Sequence, residues 1–224
     1  MKKEITAVIV ARGGSVRVKN KALQEINGIS LLGRKIEQLK KSTIIDRIIV
    51  GTESDLIKEE AINFGAEVVT RPNIACDETL SSANFMIGNM MSLIETDIVV
   101  WAHCTNPFIT GKTYDKAIKT FLLNDSCDSL LSVGILKEHL WDKNHKVLNY
   151  NPYAERHTLA SELEPHYYQD GGIFIQPYEQ MKENSYFFGG KPMLFIMPEE
   201  ELCDINTPQD LDYARFIAKN EDEC

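Results

Sequence analysis

The sequence predicts an α/β protein: a mainly parallel, Rossmann-like sheet with helices on both faces. Three observations carry this. Nearly continuous apolar runs of strand length recur along the chain. Amphipathic stretches of helix length stand between them. The alternation holds from residue 5 to residue 133 without an internal repeat or a low-complexity tract.

Each element has its own local reason. Residues 5–10, ITAVIV, are apolar almost throughout, which suits a strand buried on both faces. Residues 30–41 place Leu31, Leu32, Ile36 and Leu39 on one helical face and lysines and arginines on the other. Residues 44–51 read as a second strand. Ser54 is a candidate N-cap for a helix over 56–64, and Gly65 a candidate C-cap. Residues 67–70, 97–102 and 128–133 read as strands, and 81–93 and 110–123 as helices. Beyond Gly134 the periodicity weakens. Residues 138–170 are rich in His, Asn, Pro and Tyr and read as a small inserted lobe within a single domain spanning 1–224. Regular structure is predicted again at 172–176, 193–197 and in an amphipathic helix over 208–219, with residues 220–224 fraying.

Composition removes several function classes. The 224 residues are 43% hydrophobic and 25% charged, ordinary globular values. With 33 acidic against 24 basic residues the formal charge is −9, which argues against a nucleic-acid coat or a polybasic membrane binder. An anionic ligand therefore needs a local basic cluster. The apolar run 5–10 is too short to span a membrane and lacks a leader-type cleavage site. Five scattered cysteines, Cys76, Cys104, Cys127, Cys203 and Cys224, show no metal-ligand spacing and read as reduced thiols of a cytoplasmic protein.

One segment supplies the basic cluster. The first strand runs into Ala11-Arg12-Gly13-Gly14-Ser15, followed by Arg17, Lys19 and Lys21. In open α/β sheets ligands sit outside the carboxyl ends of the strands. A Gly-Gly turn there lets consecutive N–H groups face one concavity, which suits phosphate oxygens. A solvated basic turn is the competing reading. The loop has neither the Gly-Lys-Ser/Thr of a Walker loop nor a Gly-x-Gly-x-x-Gly turn, which weighs against P-loop hydrolysis and hydride transfer.

This loop with Lys21 resembles the N-terminal signature of the CMP–sialic acid synthetase (acylneuraminate cytidylyltransferase) family. The likeness continues through Asn27-Gly28-Ile29-Ser30-Leu31-Leu32-Gly33, Asp46-Arg47-Ile48-Ile49-Val50-Gly51-Thr52, Phe64-Gly65-Ala66-Glu67-Val68-Val69, Arg71-Pro72, Asp77 and Ser81-Ser82. It returns at Gly171-Gly172-Ile173-Phe174-Ile175 and Asp204-Ile205-Asn206-Thr207-Pro208-Gln209-Asp210-Leu211. It is dense over the first 85 residues and patchy, in order, to the end.

The resemblance implies a nucleotidyltransferase fold and a reaction. An acceptor oxygen attacks the α-phosphorus of CTP, pyrophosphate leaves and a CMP-linked product forms. Arg12 and Lys21 match groups on the triphosphate, in a loop where Ala11, Gly13, Gly14, Ser15 and Arg17 also face nucleotide. Arg71 and Ser82 match positions near the cytosine; a turn arginine before Pro72 is the alternative for Arg71. Asp204 and Asn206 match the family's Mg²⁺ pair, with Asn replacing one acid. Asn206 also reads as a turn or N-cap residue.

On the acceptor side the chain departs from the family. His103-Cys104-Thr105-Asn106-Pro107 replaces a Gln-Pro-Thr-Ser-Pro type segment, so His103, Thr105 and Asn106 are candidate acceptor contacts. His103 reads either as an acceptor-binding or basic group, or as a satisfied buried histidine. Arg156 matches one arginine of a carboxylate pocket whose second arginine is missing near Tyr168. The implied acceptor is a small anion, a sialic-acid-like nonulosonate. A phosphonate or phosphorylated acceptor is the alternative, because an arginine clamp suits all of these. Loss of catalysis with retained binding is a third reading, against which Arg12, Lys21 and Asp204 speak. The lobe 138–170 matches the family's dimerisation element and implies a homodimer.

Overall fold

A computed structural model describes residues 2–77 and 79–221. The expectation of fraying over 220–224 falls mostly outside these residues, as does Cys224. The main sheet has seven strands: β1 (Ile5–Val10), β4 (Arg47–Thr52), β5 (Glu67–Thr70), β6 (Ile98–Ala102), β7 (Ser129–Leu136), β8 (His166–Pro177) and β9 (Pro192–Ile196). Their spatial order is β5-β4-β1-β6-β8-β7-β9. All pairings are parallel except those of β8, which runs antiparallel to both β6 and β7. Two-residue strands β2 (Glu25–Ile26) and β3 (Ile29–Ser30) form a separate small hairpin.

Alternation along β1 divides the core. Ile5, Ala7 and Ile9 face α1 (Leu31–Lys40), α2 (Asp55–Asn63), α4 (Gly111–Leu122) and α6 (Pro208–Glu221). Val8 faces the opposite side, where α3 (Ala83–Met91) and α5 (Tyr178–Asn184) pack Met90, Met91, Tyr178 and Met181 onto Trp101 and Phe174. Three helices begin at capping hydroxyls that the sequence reading did not single out as caps. Ser30, Ser82 and Thr110 accept from the N–H groups of Gly33, Phe85 and Thr113 at 2.9, 3.1 and 3.3 Å, each bond worth about 1 kcal/mol. Ser54 sits at the N-cap of α2 but makes no side-chain cap bond. Gly65 takes the left-handed conformation, φ +81°, that ends a helix.

Two expectations are corrected and one element is added. Lys35 does not join the solvated face of α1. It is fully buried, donating to the Tyr114 hydroxyl at 3.0 Å. The inserted lobe ends earlier than residue 170, because residues 166–169 already pair with β7 beyond a register shift. The seven-residue helix α5 is additional. Within the lobe the regular features are a Trp141–Val147 bridge and a 3₁₀ turn at Ala160–Glu162. No helix among the described residues is long and apolar enough to cross a membrane.

Candidate active site

The chain passes from β1 outward to β4 and β5, then returns to β6 on the other side of β1. That reversal opens a crevice at the carboxyl ends of the strands. Two adjoining cavities, of about 300 and 350 Å³, lie there and share Val10 and Arg12.

The first cavity is walled by Val10, Ala75, Cys76, Ser82 and Met86, with Arg71 beside them. Arg71 is 2% exposed. It donates through Nε to Asn89 Oδ1 at 3.2 Å and through one terminal nitrogen to the Ala75 carbonyl at 2.7 Å. Burial lowers its pKa, with Cys76 and Glu53 opposing. Gly51 makes room for it, since a Cβ there would lie 2.8 Å from Arg71 Cδ. Arg71 thus both shapes this cavity and holds the turn after Pro72. Ser82 caps α3 and lines the same wall.

The second cavity is polar. Ala11, Arg12, Ser15, Arg17 and Lys21 line one side; His103, Thr105, Gly171, Asp204 and Asn206 line the other. Lys21 Nζ donates to the Ile205 carbonyl at 2.7 Å. Burial lowers the Lys21 pKa, nearby Arg17 adds to this, and Asp204 opposes it. Burial also lowers that of Arg12, against the pull of Glu53 and Asp77. These cations are thus held partly desolvated around the polar cavity. Gly13 contributes less than expected, because its N–H donates to Glu53 Oε1 at 2.7 Å and is turned from the cavity. Sequence reasoning passed over Glu53, since a single acid after a strand carries no motif.

The acceptor-side candidates separate. Thr105 lines the cavity, and its carbonyl accepts from Ile205 N–H at 2.9 Å. His103 lines the cavity too, but both ring nitrogens are engaged. Nε2 accepts from Trp101 Nε1 at 3.1 Å, so Nδ1 carries the proton given to the Gly171 carbonyl at 2.6 Å. Burial lowers its pKa, in the same direction as the unprotonated Nε2 that the Trp101 bond requires. Asn106 is a correction. It is 1% exposed, and its amide donates to the Asp170 and Cys203 carbonyls, both at 3.2 Å, bracing the wall from behind. Arg156 stands apart from both cavities. It lies exposed in the lobe, paired with Glu162, and lines neither cavity of this chain.

For a divalent ion the donor set is one carboxylate and one amide, Asp204 and Asn206. Asn206 Nδ2 donates to Asp204 Oδ2 at 2.6 Å. A half-turn of the amide presents its oxygen instead. No group of three His, Cys, Asp or Glu forms a metal cage among the described residues. Hard oxygen donors that leave most positions open fit Mg²⁺, which is commonly bound by one or two carboxylates and completed by phosphate oxygens and water.

Comparison with known proteins agrees with this geometry. Residues 6–215 match the sequence profile of a family described as cytidylyltransferase. The chain is 24% identical to a pseudaminic acid cytidylyltransferase of Campylobacter jejuni over 95% of both chains. It is 27% identical to the CMP-N,N'-diacetyllegionaminic acid synthase of the same species over 96% of this chain and 94% of that one. Among solved structures, a CMP:2-keto-3-deoxy-manno-octonic acid synthetase complexed with CTP superimposes with a TM-score of 0.70 at 15% identity, covering 97% of this chain and 99% of the other. The 4-diphosphocytidyl-2C-methyl-D-erythritol synthase of Anaerococcus prevotii gives 0.70 at 13% identity, covering 97% and 96%. With a profile match over nearly its whole length, the chain belongs to the cytidylyltransferase family.

Proposed function

We propose that this cytidylyltransferase couples CTP to a sialic-acid-like nonulosonic acid, releasing pyrophosphate and forming a CMP-linked sugar. The observation that carries the reading is the junction of the two cavities at Arg12. A cytosine in the apolar cavity and a triphosphate along the basic wall bring the α-phosphorus to that junction. The similarity to enzymes named for pseudaminic and legionaminic acid supports the acceptor class.

The chemistry asks mostly for position and charge compensation. The acceptor oxygen enters past Thr105 and Gly171 and attacks the α-phosphorus as the bond to pyrophosphate breaks. Arg12, Arg17 and Lys21 offset the charge growing on the leaving pyrophosphate. Asp204 and Asn206 would hold Mg²⁺ across from them; when bound, the ion neutralises phosphate charge. His103 positions the Gly171 carbonyl rather than taking a proton, since neither ring nitrogen is free.

The lobe supports a homodimer. Trp141 and Tyr153 stand 55% and 93% exposed there, more aromatic surface than a solvated loop needs. Four described cysteines are free thiols, in keeping with a cytoplasmic enzyme.

The test is pyrophosphate release from each of the four nucleoside triphosphates with Mg²⁺ and a panel of nonulosonic acids, with mass spectrometry of the product. Release that depends on CTP and a nonulosonate supports the reading. Release with a phosphonate and with no nonulosonate assigns the acceptor to the other class. Sedimentation analysis reads the dimer.

A further inference from the structure

The basic loop has an acid at its base. Glu53 follows the last residue of β4, and its Oε1 accepts the Gly13 N–H at 2.7 Å. Its other oxygen, Oε2, is buried without a hydrogen-bond partner, although the Cys76 thiol, its pKa pushed up by burial and by this bond, also hydrogen-bonds the carboxylate. A buried carboxylate oxygen left unpaired costs free energy and calls for a reason. Glu53 shares a third cavity with Arg12, Gly14 and Val16, on the opposite side of the loop from Lys21. It also pulls on the charge state of Arg12. The carboxylate occupies the amide that a Gly-Gly turn would otherwise offer to phosphate.

We propose that Glu53 is a positioning residue that sets both the shape and the charge preference of the nucleotide site. Its hydrogen bond fixes the start of the glycine turn. Its negative charge penalises a bare triphosphate more than a metal-complexed one, because the complexed form carries two fewer negative charges. The loop thereby favours the reactive, metal-bound substrate. This rests on the CTP reading above.

Titration calorimetry of CTP, once with Mg²⁺ and once with EDTA, tests it on the full-length protein. Glu53→Gln keeps an oxygen for the Gly13 N–H and removes the charge. Metal-free CTP is expected to bind roughly three- to tenfold more tightly, Mg-CTP to change less, and the ratio of the two affinities to shrink. Glu53→Ala loses the brace, and Mg-CTP affinity falls. Glu53→Asp retains the charge and keeps the wild-type ratio, whichever way its affinities move. Thermal melts establish that each variant titrated is folded. An unchanged ratio in Glu53→Gln, or a changed one in Glu53→Asp, overturns the assignment. Absence of CTP binding by the wild-type protein overturns the nucleotide reading and this assignment with it.

Discussion

The Lys21 ammonium donates to the Ile205 carbonyl at 2.7 Å, joining segments 184 positions apart in sequence. The Ile205 N–H in turn donates to Thr105. One residue, Ile205, therefore ties the basic loop, the Thr105 segment and the Asp204 segment together through its two flanking peptide groups. Replacing Lys21 by Met removes a cation from the leaving-group side and this tie. We expect turnover to fall about 10²–10³-fold at saturating CTP. Pyrophosphate release measures it.

Asp204 and Asn206 supply a single formal charge to the proposed ion site. Asn206→Asp restores a second carboxylate at i+2 and is expected to lower the Mg²⁺ concentration needed for half-maximal turnover. Asp204→Ala is expected to abolish Mg²⁺-dependent turnover. Metal titrations of the initial rate distinguish the two. An Asn206→Asp enzyme with an unchanged metal requirement would place the ion elsewhere.

His103 is bonded at both nitrogens, to Trp101 and to Gly171. His103→Asn should therefore raise KM for the acceptor by loosening the Gly171 wall while leaving the shape of the pH–rate profile unaltered. Disappearance of one limb of that profile would identify His103 as the base after all.

Asn106 holds two carbonyls that border the cleft. Asn106→Ala leaves both without this donor in a buried setting, at about 1–3 kcal/mol. At roughly 2–4 °C per kcal/mol for a chain of this size, the expected loss in Tm is several degrees. Calorimetric melting checks it.

Lys35 offers a pH signature. Burial lowers its pKa to about 7, against the opposing pull of Cys104 and Glu201. Between that value and its unfolded value the unfolded chain binds more protons, so stability from this group rises as pH increases from about 7 towards 10. Its slope is at most about 1.4 kcal/mol per pH unit. Urea denaturation at pH 7 and pH 9 should show a gain in the wild type that is absent in Lys35→Met. Equal gains in both proteins would show that Lys35 is not the group responsible.

Much of the fold was legible because its strands are buried on both faces. The β1 run and the amphipathic periodicity of α1 need no tertiary context to be read. What was hidden depends on partners distant in sequence. Residues 166–169 read as loop because their side chains are largely exposed, although their backbone pairs with β7. Lys35 read as solvated because helical periodicity does not show that Tyr114 waits opposite it. In the site, the basic loop, Arg71, Ser82, Thr105 and the Asp204 segment line two adjoining cavities. Glu53 and the bracing role of Asn106 were illegible, since each acts on backbone groups of another loop.

Strand β8 has a consequence for the cleft. It leaves the lobe at exposed His166 and runs without a break to Pro177 in the middle of the sheet. Gly171, the wall of the polar cavity, lies partway along it with φ +74°. Lobe and cleft thus share one strand, and the irregular step in its pairing with β7 falls at that glycine, so the cleft wall is cut from the stretch of β8 that the regular ladder releases.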